Sequence, residues 1–132
     1  MTTEYPFPSH DDLVAAGYCV FPKELEDDPL VLFHAAPADK ADRIIKDGFK
    51  SAKELGKGIL ESVSFAYKSM SALTHLALSH GPDKPYVIFA VRYETLEQKG
   101  IVENASDIHD FLRCPQPQII GICRVPVNYE HK

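Results

Sequence analysis

The chain predicts a single α+β domain, and three observations carry that expectation. Leu30 to Phe33, Tyr86 to Tyr93 and Gln118 to Val125 are apolar runs of strand length. Between them, Ala38, Ala41, Ile44 and Ile45, and then Met70, Leu73, Leu76 and Ala77, recur at helical spacing. The chain has 132 residues of which 45% are hydrophobic, enough for one core without disulfides or a structural metal.

Taken in order, Ser9 with Asp12 three residues on has the form of a capping box, so a short helix is expected over residues 10 to 16, closed by Gly17. Tyr18 to Phe21 reads as an edge strand and Pro22 to Pro29 as an acidic loop. Leu30 to Phe33 has the continuous apolar pattern of a strand covered on both faces, and it delivers His34 at its end. Pro37 suits the first turn of a helix, where its missing N–H has no partner to lose. The apolar stripe of that helix is opposed by Asp39, Lys40, Asp42, Arg43 and Lys46; Gly48 is a left-handed stop, and Phe49 can fold back onto the last turn.

Ser51 to Gly58, with Gly56-Lys57-Gly58, reads as a polar connection. Ile59 to Ala66 follows as a strand in which Ser62 and Ser64 share a face. Ser69 or Ser71 should cap a helix through Ser79 that Gly81-Pro82 ends, and Tyr86 to Tyr93 is the central strand. Residues 94 to 109 read as a long surface loop, Phe111 and Leu112 as the start of another extended segment, Cys114 to Pro117 as a turn, and Gln118 to Val125 as the last strand.

Lys+Arg 14 against Asp+Glu 19 leaves a formal charge of −5 and no basic tract to follow a phosphate backbone, which disfavours broad electrostatic binding of nucleic acid. Cys19, Cys114 and Cys123 contain no CxxC and lie in or beside apolar runs, as expected of reduced thiols. No tight cluster of histidine with cysteine suggests zinc. The opening residues MTTEYPFPSHDDL lack both a basic region and an apolar stretch of signal length, so a soluble, cytoplasmic protein is expected.

Three segments in this order resemble the ADP-ribosyltransferase superfamily over roughly residues 30 to 125. FHAAPADKADRIIKDGF is similar to the family's first strand and helix, GKGILESVSFAYKSMSALTHL to its G-x-x-Y-F-A segment and serine-rich helix start, and DFLRCPQPQII to its terminal acidic segment with a following glutamine. The resemblance implies a split β-sandwich of two small, mostly antiparallel sheets packed with short helices. It also implies a cleft for NAD between the sheets and transfer of ADP-ribose to an acceptor that is a protein, a nucleic acid or a small molecule.

By that pattern His34 holds the ribose of NAD, and Asp110, with Asp107 and Glu103 as rivals, supplies the carboxylate that stabilises the ribosyl cation. Ala35, Ser62 and Ser64 line the nicotinamide end, where Tyr67 or His75 would supply an aromatic surface. Three departures stand against the pattern, the first being that Ala35-Ala36 follow His34 where glycine and threonine or serine are commoner. Aspartate is one methylene shorter than the usual glutamate, and Ser64 stands where many members have a tyrosine. A non-catalytic binding module of the same fold is therefore the alternative. An RNA 2′-phosphotransferase-like enzyme is another, for which only scattered basic residues such as Arg43, Arg92 and Arg113 are on hand.

Overall fold

The structure is a computed structural model and describes residues 3–17, 19–49, 63–81, 84–97, 101–103, 108–110 and 117–126. Its described elements are β1 (Thr3–Tyr5), α1 (His10–Ala15), α2 (Lys23–Glu26), β2 (Val31–Pro37), a 3-10 turn (Ala38–Lys40), α3 (Ala41–Asp47), β3 (Val63–Phe65), α4 (Ser69–His80), β4 (Tyr86–Arg92), β5 (Ile101–Glu103), β6 (Ile108–Asp110) and β7 (Gln118–Val125). The fold is α+β, with a four-stranded sheet in the order β1-β7-β4-β2 and a three-stranded sheet in the order β3-β6-β5. All pairings are antiparallel except β1 with β7.

Strands β4 and β7 stand where their apolar runs predict them. β2 is longer than expected: it continues through His34 to Pro37 and pairs with the whole of β4. Alternation explains why both of its faces are buried. Val31, Phe33 and Ala35 enter one core with Met70, Ala72 and Leu73 of α4, while Leu32 and Ala36 enter a second core with Phe49, Val63, Phe65 and Ile108. Helix α4 therefore covers one face of the large sheet and the small sheet covers the other.

Several expectations are corrected. Cys19 to Phe21 forms no strand; the edge of the large sheet is β1, and the close fit of Tyr5 and Phe21 over Gly121 leaves no room for a side chain there. The acidic stretch after Pro22 contains α2, whose Glu26 is buried. Its carboxylate accepts from the Phe21 N–H at 3.1 Å, the Ser69 N–H at 3.1 Å and the Ser69 hydroxyl. Ser69 is thus the first residue of α4, its hydroxyl engaged by Glu26 and accepting from the Val20 N–H at 3.2 Å. A buried carboxylate from another element satisfies donors that the helix start leaves open. Residues 94 to 109 are not all loop, because β5 and the first two residues of β6 lie among them. Pro37 ends β2 and precedes the 3-10 turn, so α3 begins only at Ala41, and its stripe is narrower than expected, with Ile45 exposed.

Other expectations hold. Ser9 Oγ accepts from the Asp12 N–H at 3.2 Å, and Gly17 follows α1 at φ 68°. Gly48 follows α3 at φ 83°, and Phe49 is buried beside Phe65 and Phe89. The expected loop at residues 51–58, the first part of the strand at 59–62 and the segment at 111–116 lie outside the described residues.

Candidate functional site at the sheet corner

Among the described residues one backbone rung joins the two sheets. Phe33 and Ala66 exchange both backbone hydrogen bonds at 2.8 Å, an isolated antiparallel bridge between β2 and the residue after β3. Continued by one more pair, that register would set Ala35 opposite Ser64. The rung does not form. His34 Nδ1 instead donates to the Ser64 carbonyl at 2.7 Å, so the imidazole holds the place where the two strands part.

A carbonyl can only accept, which fixes the tautomer: Nδ1 carries the proton and Nε2 presents a lone pair. Burial among Phe49 and Phe65, with ring centroids 5.2 and 5.6 Å away, holds the imidazole below its ordinary pKa; the bond to Ser64 offsets this only in part. His34 is therefore neutral at pH 7, a fixed hydrogen-bond acceptor.

The rung also decides where the peptide groups of Ala35 point. Phe33 directs its N–H and C=O away from β4, so two residues on Ala35 does the same. Bonds from the Tyr93 N–H to the Leu30 carbonyl at 2.9 Å and from the Ala38 N–H to the Pro85 carbonyl at 3.1 Å place the even-numbered residues toward β4, as this parity requires. Ala35 is 8% exposed, and among the described residues no hydrogen-bond partner meets its N–H or C=O. A donor and an acceptor thus lie side by side next to the imidazole.

Ser64 is the register partner of His109 on β6, and their side chains share a face: Ser64 Oγ lies 3.3 Å from His109 Nδ1. Asp110 is opposite Val63 and so belongs to the other face, with Val63, Phe65 and Ile108. It is fully buried, and its Oδ2 accepts from the Tyr93 hydroxyl at 2.9 Å. Burial first, and the Asp110 carboxylate second, push the Tyr93 phenol far above its ordinary value, so it stays a donor. This bond ties the end of β4 to the end of β6.

His34, Ala35 and Ser64 therefore come together at the corner, while the Asp110 side chain lies on the opposite face of β3 and β6 from Ser64 Oγ. Tyr67 is exposed, just ahead of α4; His75 is on α4, which packs against the face of the large sheet opposite to His34, and its side chain is outside what is described. Ser62 and Asp107 lie outside the described residues, and Glu103 is on β5 opposite Ile108. His109 is the site residue that the sequence reading missed. Its signal is the alternation Ile108-His109-Asp110, in which the outer residues turn inward and the histidine outward.

Among the described residues no group of three or more His, Cys, Asp or Glu could hold a metal ion, and no helix is long and apolar enough to cross a membrane. In comparisons with protein-family models, curated proteins and solved structures, nothing matches this chain.

Proposed function

We propose that the chain is a small ADP-ribosyltransferase that takes NAD at the corner between its sheets and transfers ADP-ribose to an acceptor. The observation that carries this reading is the N–H and C=O of Ala35, a residue 8% exposed whose two groups meet no hydrogen-bond partner among the described residues, next to the imidazole of His34. Leaving such a pair without partners costs about 1–3 kcal/mol per group, and a ligand that supplies them recovers that cost. A primary carboxamide offers one donor and one acceptor in the required pairing, and a ribose hydroxyl offers the donor that a neutral imidazole accepts. Nicotinamide riboside joins those two groups in one molecule, and NAD carries it.

In this reading His34 orients the sugar and transfers no proton, Ala35 holds the nicotinamide amide, and Ser64 lies nearest the bond that breaks. The burial of Asp110 favours a second reading, a domain that binds NAD without turning it over, because the nearest identified carboxylate is engaged by Tyr93. Thermal unfolding with and without NAD tests binding: a ligand present at about 100 times its Kd stabilises the folded form by about 2.7 kcal/mol. Release of nicotinamide then separates the two readings. An unchanged melting curve at millimolar NAD removes both.

A further inference from the structure

We infer that Ser64 and His109 form a nucleophile–base pair, and that Ser64 is itself an acceptor of ADP-ribose; the choice of electrophile rests on the reading above. A serine hydroxyl is a weak nucleophile until a base within hydrogen-bond reach takes its proton, and the Oγ to Nδ1 distance of 3.3 Å sets that geometry up. Both side chains are partly exposed, so a substrate can reach them. The pair is rigidly presented. Ser64 is clamped through its carbonyl by His34 and lies next to the Ala66 rung, while His109 is held on the middle strand of the small sheet, between β3 and β5.

The same imidazole that would hold the ribose is bonded to the backbone of the residue carrying the hydroxyl. Where Asp110 is turned away, the serine and its base are the polar side chains facing outward from β3 and β6.

The step balances as follows. The Oγ–C1″ bond forms as the C1″–N1 bond of NAD breaks, and the bonding pair passes to the pyridinium nitrogen, which leaves as neutral nicotinamide. The serine proton passes to Nδ1 of His109. The product is an O-glycoside of Ser64, which is stable, so a single transfer fills the site and the protein limits its own turnover.

The test incubates the full chain with NAD alone and, separately, with diisopropyl fluorophosphate, in which a phosphorus–oxygen bond forms at a nucleophilic serine as fluoride leaves. Intact mass and peptide mapping read the product. The proposal expects one ADP-ribosyl group on Ser64, stable to neutral hydroxylamine, absent from Ser64→Ala and formed at least tenfold more slowly in His109→Gln, which keeps its stabilisation by NAD. Phosphorylation of Ser64 by the fluorophosphate without any ADP-ribosyl adduct would support the nucleophile–base pair and overturn its use on NAD. No modification by either reagent overturns the pair, and stabilisation by NAD in that same sample would show that the transferase site had survived it. A hydroxylamine-labile adduct on a carboxylate, or labelling indifferent to His109→Gln, also overturns the proposal.

Discussion

Replacing His34 by alanine separates two roles that the imidazole plays in one place. The ring donates to the Ser64 carbonyl and packs edge-on to Phe49 with a second contact to Phe65. Losing the hydrogen bond costs about 1–2 kcal/mol with the carbonyl left partly buried, and each aromatic contact contributes about 0.5–1 kcal/mol, so the variant should lose about 2–4 kcal/mol. A domain of this size has about 5–15 kcal/mol to lose, so the variant should still fold. With about 3–5 °C per kcal/mol, its melting temperature should fall by about 6–20 °C. That loss alone says nothing of NAD. The informative measurement is the difference between curves with and without NAD: about 10 °C of stabilisation is expected in the parent protein near 100 Kd and none in His34→Ala. A variant that melts lower and still gains the full rise from NAD would refute the reasoning, leaving His34 as a pin between sheets.

Three further outcomes follow from the same structure. Burial lowers the His34 pKa, so the unfolded chain binds the extra proton first; the contribution to stability is complete above about pH 6.5 and is lost as pH falls from there through the folded-state value. Urea unfolding at about pH 7.5 and about pH 5.5 should show an excess acid loss of up to about 1.4 kcal/mol per pH unit that His34→Ala lacks, and equal slopes would contradict it. Asp110→Ala should cost about 2–4 kcal/mol because it strands the buried Tyr93 hydroxyl, whereas Asp110→Asn should be milder and leave NAD cleavage within tenfold. A fall of about 10² in cleavage by Asp110→Asn with stability unchanged would instead restore the carboxylate to the chemistry. Glu26→Ala should remove about 3–5 kcal/mol by stranding the Phe21 and Ser69 N–H groups, seen as faster hydrogen exchange in the first turn of α4; unchanged exchange there would refute the capping role.

Which parts were legible follows from what each residue pays for being where it is. β4 and β7 are covered on most of their length and had to be written in apolar residues, so they could be read directly. β2 was read short because His34 interrupts the run, although Leu32, His34 and Ala36 keep the period of two that a strand needs. Strands β1, β5 and β6 have three residues each, too few for any period to stand out. Val20 and Phe21 are apolar because they are buried, but their N–H groups go to Ser69 and Glu26 rather than to a neighbouring strand. At the corner, the meeting of His34 with Ser64 could be anticipated from their order along the chain. The face of Asp110 could not, because it depends on a register with β3 that is set across 47 residues of chain by Val63 and its neighbours.

The lone rung between Phe33 and Ala66 has a mechanical consequence. Within each sheet a ladder of several backbone bonds resists shear; between the sheets the described hydrogen bonds are one exchanged pair, one imidazole and one phenol, laid over a shared apolar core. Backbone hydrogen bonding therefore passes between the sheets at few described points, and apolar packing carries the rest of their contact. If His34 holds a ribose as proposed, the ligand would sit against one of the polar contacts that tie the two sheets together.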